Sequence, residues 1–202
     1  MTHRIDYALV ETSLGTLLGA ATSRGVCRIA FGASEAELAT SLPFAALRRD
    51  DAKLAPYAAA IADYVEGRRA SLDLPLDVRA SAFRRRVWDA LAAIPRGATR
   101  SYADVARAIG MPGAARAVAG ACAANPVALA IPCHRVVASD GSLAGYRWGI
   151  ERKRALLARE GAGYGVASDS AASASSGIRA IRISERQSMP KSHGQSRSMR
   201  LV

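Results

Sequence analysis

The 202 residues suffice for one domain of ordinary size or two small ones, and half of them are hydrophobic, which is ample material for a core. Charged residues, at 22%, are common without dominating, which excludes wholesale disorder; no run of about 18 apolar residues supports a membrane span. The net charge of +11 is unevenly placed. Residues 1–83 hold 9 Lys+Arg against 10 Asp+Glu, residues 84–164 hold 13 against 5, and residues 165–202 hold 6 against 2. Positive charge thus begins abruptly near Phe83, as expected of a polyanion-binding half beside a neutral scaffold, or of a basic surface that only confers solubility.

The start of the chain, Met1 to Tyr7, lacks the basic patch and apolar run of a signal peptide, so a cytoplasmic protein is expected. Ile5–Val10, Thr16–Ala21 and Gly25–Phe31 alternate like strands, separated by turns at Ser13-Leu14-Gly15 and Ser23-Arg24; they predict a small antiparallel meander. Ser34 to Ser41 predicts a short helix, with Ser34 as N-cap and Glu37 as its capping-box partner. A second helix is expected over Ala52–Glu66, closed by Gly67. Leu72 to Leu76 is extended, because Pro75 disfavours helix in the residue before it. Residues 1–78 are therefore expected to form an α/β scaffold domain without chemistry of its own.

A second unit, 79–164, opens with a helix from Ser81, in which Phe83, Val87, Leu91 and Ile94 recur at helical spacing, and which Pro95-Arg96-Gly97 stops. Ser101 caps a helix from Tyr102 to Ile109; Gly110 to Gly113 turns the chain; Ala114 to Ala124 is a third helix, made almost wholly of small residues and Arg116. Two short helices around a glycine-containing turn have the form of a helix-turn-helix, which serves DNA recognition in some proteins and is an ordinary αα-hairpin in others. From Asn125 to Val137 the chain is apolar and interrupted by Pro126 and Pro132, which predicts a buried loop or strand. Ser139 to Ser142 is a turn, Gly145 to Gly149 a glycine-bounded loop, and Ile150 to Arg159 a last helix with a strongly basic face. The Ser-, Ala-, Gly- and Arg-rich residues 165–202 are expected to be disordered.

Chemistry is expected at Cys133-His134. The three cysteines, Cys27, Cys122 and Cys133, are odd in number and include no C-x-x-C pair, so neither a disulfide framework nor a zinc site is expected. A thiol becomes nucleophilic on losing its proton, and the adjacent histidine, Arg135 and the basic surroundings are all expected to favour the thiolate. In an extended chain neighbouring side chains point to opposite sides, so cooperation between Cys133 and His134 needs a water or a local turn. A buried cysteine beside a structural histidine is the alternative that the pair by itself leaves open.

Ile131-Pro132-Cys133-His134-Arg135-Val136-Val137 resembles the signature of the methylated-DNA–protein-cysteine methyltransferases (O6-alkylguanine-DNA alkyltransferases). Ala82-Phe83 with Val87-Trp88, Ser101-Tyr102, Arg116-Ala117-Val118, Ala124-Asn125-Pro126, Gly145-Tyr146-Arg147-Trp148-Gly149 and Glu160 follow the same family in order and spacing. The similarity is strong from about Leu72 to Gly161, and greatest to the C-terminal half of the family's bacterial adaptive-response members. It implies an α/β (α+β) fold, a small antiparallel-sheet domain followed by a winged-helix-like helix-turn-helix domain. It also implies repair of double-stranded DNA carrying O-alkylated guanine or thymine, by a monomer, with no cofactor, metal or membrane. By the same resemblance Cys133 accepts the alkyl group, His134 takes the thiol proton through a water, and Glu160 holds and polarises His134. Tyr102 donates to the guanine ring, the carbonyls of Cys133 and Val136 accept from its amino group, Arg147 offers its backbone N–H, Tyr146 shapes the pocket, and Asn125 fixes the loop. Arg116 fills the gap left by a flipped nucleotide, Arg84 meets phosphate, and Ser101 and Ser139 complete the DNA-facing set. The chain lacks the cysteine-rich zinc domain of the adaptive-response members, so repair of phosphotriesters and gene activation are not implied. A protein that binds alkylated DNA without repairing it is the alternative, and members of that kind lack the acceptor cysteine.

Overall fold

The computed structural model describes residues 3–162; the tail expected to be disordered, 165–202, lies outside them. The first part is a four-stranded sheet of β1 (His3–Val10), β2 (Leu17–Ala21), β3 (Val26–Phe31) and β4 (Ala45–Arg49) in the order β3-β2-β1-β4. The first three strands are the antiparallel meander. The fourth, absent from the sequence reading, runs parallel to β1 from His3 opposite Ala45 to Tyr7 opposite Arg49. Period-two alternation divides the side chains between two faces. Ile5, Tyr7, Leu18 and Ala20 pack with Leu38 of α1 (Glu35–Ser41), while Ala8, Val10, Leu17 and Ala21 join the main core, in which Leu54, Ile61 and Val65 of α2 (Asp51–Val65) lie. The expected capping box closes α1: Glu37 N–H donates to Ser34 Oγ (3.2 Å) and Ser34 N–H to a Glu37 carboxylate oxygen (2.9 Å).

The second part begins with α3 (Ala82–Ala92), capped by Ser81, which buries Val87, Trp88 and Leu91. Trp88 Nε1–H donates to the Ala121 carbonyl (2.9 Å), pinning α3 against α5 (Ala115–Ala123). Between them lies α4 (Tyr102–Ala108), the first helix of the helix-turn-helix, which Gly110 ends with a φ of +70°. The two-residue strands β5 (Arg100–Ser101) and β6 (Val136–Val137) pair in parallel, bringing the start of α4 beside the signature loop. The last helix, α6 (Ile150–Glu160), is less of a solvated basic face than its sequence suggests. Lys153 is fully buried; Arg152 Nε–H donates to the Leu14 carbonyl (2.8 Å), with its guanidinium 5.3 Å above the Phe31 ring.

The two parts are joined through backbone as well as side chains. Ile29 N–H of β3 donates to the Pro126 carbonyl (3.0 Å), and Ala128 N–H donates back to the Ile29 carbonyl (2.9 Å). Further along the same strand Val26 N–H donates to Pro75 (2.7 Å) and Asp77 N–H to Val26 (2.9 Å). Among the described residues no helix is long and apolar enough to cross a membrane.

Candidate active site

The loop after α5 is folded around one side chain. Asn125 is fully buried; its Nδ2–H₂ donates to the Ile131 carbonyl (2.8 Å) and towards Cys133 Sγ (3.3 Å), and its Oδ1 accepts from Val127 N–H (3.0 Å). A buried amide that uses both ends in this way fixes the loop and the sulfur together. Leu129 adopts a φ of +71° within the loop, a conformation that costs a non-glycine residue energy and persists only when the surroundings hold it.

At Cys133 the chain is not extended. Cys133–Arg135 forms a 3-10 turn in which Arg135 N–H donates to Pro132 (3.0 Å) and Val136 N–H to the Cys133 carbonyl. This is the local turn that cooperation between neighbouring residues requires. It sends His134 into the interior, fully buried, with Nε2 at 3.0 Å from Glu160 Oε1. Arg135 forks onto the same carboxylate, Nε–H to Oε2 and NH2 to Oε1, each at 2.9 Å. Burial by itself would raise the Glu160 carboxyl, but hydrogen bonds from His134 and Arg135, with their charge, hold it well below the usual carboxylate range. Burial, together with the charges of Arg135 and Lys153, lowers His134 below the usual imidazole value against the opposing pull of Glu160. A neutral ring that donates through Nε2 to an ionised carboxylate keeps its lone pair on Nδ1. That Nδ1 is buried and has no hydrogen-bond partner among the described residues.

The expectation that the surroundings favour a resting thiolate is not met. Burial pushes the Cys133 thiol up to about 11, offset only in part by the Asn125 hydrogen bond and the charge of Lys153. Arg135 does not act on the sulfur, because its charge is spent on Glu160 and its remaining N–H groups meet the carbonyl of Ile94 and the hydroxyl of Tyr64. Cys27 and Cys122 are pushed higher still, to about 12, by burial.

The other candidate residues fall into two groups. Tyr102, half-buried at the start of α4, and Tyr146 both pack against the core that contains Cys133. Burial raises the Tyr102 phenol to about 12, so it stays a donor. Tyr146 meets Trp148 edge-on at 5.2 Å, and its buried hydroxyl has no hydrogen-bond partner among the described residues. The Val136 carbonyl already accepts from Lys153 Nζ (2.5 Å), and that of Cys133 closes the turn, leaving each one further lone pair. The Arg147 side chain reaches the Ala123 carbonyl (3.3 Å). The Ser101 hydroxyl is engaged in capping α4, donating to Asp104 (2.7 Å) and accepting from its N–H (3.1 Å). Arg84, Arg116 and Ser139 are exposed and are not brought against the thiol.

Three buried polar residues of this site have no role in the sequence reading: Tyr64, Arg135 as a partner of Glu160, and Lys153. Lys153 Nζ also donates to Leu143, and burial lowers its ammonium to about 8. Its position was detectable, since Ile150, Lys153 and Leu157 fall at i, i+3 and i+7 on the inward stripe of α6. Among the described residues no group of three His, Cys, Asp or Glu is placed to hold a metal ion.

Residues 82–162 match the family model for the 6-O-methylguanine DNA methyltransferase, DNA binding domain, and residues 5–78 match that for the ribonuclease-like domain of the same protein. The chain is 46% identical over 160 residues to the bifunctional transcriptional activator/DNA repair enzyme Ada of Escherichia coli, an alignment covering 77% of this chain and 45% of that one. It is 48% identical over 115 residues to the inducible methylated-DNA–protein-cysteine methyltransferase of Bacillus subtilis, covering 57% and 64% respectively. The chain thus spans just under half the length of the first relative and under two thirds of the second. The solved O6-methylguanine methyltransferase of Mycobacterium tuberculosis superposes with a TM-score of 0.69 at 36% identity, over 78% of this chain and 93% of that one. The same protein solved in complex with DNA gives 0.69 at 35%, over 78% and 92%.

Proposed function

Because this chain belongs to the 6-O-methylguanine DNA methyltransferase family, we propose that it repairs double-stranded DNA by moving an alkyl group from the 6-oxygen of guanine, or the 4-oxygen of thymine, onto its own Cys133. The observation that carries the reading is the division of labour on His134: Nε2 is committed to an ionised Glu160, and Nδ1 is buried with a free lone pair. A thiol at about 11 needs a base at the moment of reaction, and a neutral imidazole is the side chain suited to that work near neutral pH.

In this mechanism Nδ1 of His134 takes the thiol proton through a water, and Glu160 stabilises the imidazolium that results. Cys133 Sγ attacks the alkyl carbon in line, the carbon–oxygen bond breaks, and its electrons pass to the base. The Tyr102 hydroxyl, still protonated, donates to the guanine ring and offsets the charge gained there. The product is a thioether without a route back to the thiol, so each molecule reacts once. Residues 1–78 serve as the scaffold and 79–164 as the transferase unit of a cytoplasmic monomer. Tyr146 and the backbone of Cys133, Val136 and Arg147 line the guanine pocket, while Arg84, Ser101 and Ser139 face the DNA.

Intact mass after incubation with a duplex carrying one O-methylated guanine tests the reading. One added methyl per protein, mapped to Cys133, is expected. An unchanged mass with retained binding would point to a protein that only marks the lesion, and neither transfer nor binding would end the proposal. The exposed Arg116 on α5 is assigned the place of the flipped nucleotide in the base stack. Arg116→Ala should therefore slow transfer from duplex DNA by roughly 10- to 100-fold, since unstacking costs a few kcal/mol, and leave transfer from the free base unchanged. Equal rates ratios on both substrates would remove Arg116 from that role.

A further inference from the structure

The catalytic carboxylate has a third donor, and it comes from the other part of the chain. Tyr64 lies in the last turn of α2, a helix whose Leu54, Ile61 and Val65 are buried in the core. Its ring is buried in the same core, and its hydroxyl donates to Glu160 Oε1 at 2.8 Å. The Tyr64 hydroxyl oxygen in turn accepts from Arg135 NH2 at 3.1 Å. Arg135 NH2 also donates to Glu160 Oε1, so phenol, guanidinium and carboxylate form a closed three-cornered set. Oε1 is also the atom that meets His134 Nε2. Phenylalanine would fill the same space, so packing does not require the hydroxyl; without it, both Oε1 and the Arg135 guanidinium lose a buried partner.

We propose that Tyr64 is a positioning residue for the transfer reaction: its hydroxyl fixes the Glu160 oxygen that faces His134, and so holds the histidine in the tautomer whose Nδ1 is free to take the Cys133 proton. The scaffold part thereby reaches the site through one hydroxyl. This rests on the reading of His134 as the base. A hydroxyl that donates to a carboxylate also draws off part of its charge, so its removal makes Glu160 a stronger partner for imidazolium. His134 would then hold a proton to higher pH, where it cannot serve as base.

The experiment uses the full chain and Tyr64→Phe, which keeps the ring. Single-turnover transfer from a duplex carrying O-methylated guanine should slow roughly tenfold, the loss expected for one charge-assisted hydrogen bond. The acid limb of its pH profile should move up, with DNA affinity unchanged. A folded variant with the wild-type rate and limb would overturn the proposal, as would a slower variant whose limb has not moved, because that is the mark of loosened packing. A second measurement needs no variant: ¹⁵N resonances of the His134 ring in the wild type should show Nε2 protonated and Nδ1 not, and the opposite tautomer would overturn it. Failure of the transfer reading is separate, since it shows as a wild type that moves no methyl at all.

Discussion

Cys133→Ala should abolish alkyl transfer while leaving affinity for DNA intact. The sulfur is the acceptor in the proposed reaction, and the other two thiols, Cys122 and Cys27, are held protonated by burial, at about 12, without a histidine assigned to deprotonate them. Nothing in the fold depends on the thiol to the same degree. Asn125 keeps its bonds to the Ile131 carbonyl and Val127 N–H when the weak contact to sulfur is gone. The cavity left is one atom in size, so stability should fall by about 1 kcal/mol at most. Intact mass after exposure to methylated duplex and fluorescence anisotropy with the same duplex check the two halves of the statement. Parallel loss of both would show that Cys133 is a structural residue.

Glu160→Gln should be the most damaging single change at the site in stability, and should slow transfer as well. The amide leaves Arg135 as a buried cation without its counter-charge, and breaking one side of such a pair costs about 3–5 kcal/mol. In a chain of this size that lowers the melting temperature by roughly 10 °C. Transfer should slow by roughly 10²- to 10⁴-fold, because the amide neither fixes the His134 tautomer nor stabilises its charged form. The pH dependence has a definite sign. The folded carboxyl is held below its ordinary 4.5, so its contribution is complete above that value and is lost as pH falls through the folded value. The gap in stability between wild type and variant, measured by urea unfolding, should therefore narrow below about pH 4.5. A constant gap down to pH 3, or none at pH 7, would show that the carboxylate is not the anchor of Arg135.

What the sequence discloses follows from whether a residue's environment is local. The capping box at Ser34 and the N-cap at Ser101 are readable because the groups involved lie within three residues of each other. Cys133, His134, Asn125 and Glu160 are readable because the signature residues resemble a known family, and the fold brings all four together. β4 is not, since Ala45-Ala46-Leu47-Arg48-Arg49 has no β-branched residue and suits a helix on its own; it is a strand only because β1 offers an open edge. Lys153 reads as part of a basic face and Arg135 as a charge acting on the thiol because their partners, Glu160, Ile94, Tyr64, Val136 and Leu143, come from distant parts of the chain. The thiol's protonation is misjudged for the same reason: residue types suggest attraction, while burial and the pairing of Arg135 decide the outcome.

The bonds that β3 makes on its outer side have a consequence for how far the chain can be cut. A strand at the rim of a sheet carries a row of unsatisfied donors and acceptors that invite other chains. Here the residues around Pro75 and Asp77 cover one stretch of that rim, and Pro126–Ala128, leading into the loop of Cys133, cover another. A fragment beginning after residue 78 would leave the cysteine loop without its backbone mooring at Ile29, and the matching N-terminal fragment, still covered at Val26 by Pro75 and Asp77, would present a bare stretch of rim at Ile29. The loop that carries the chemistry is thus also the seal that keeps the sheet from sticking to its neighbours.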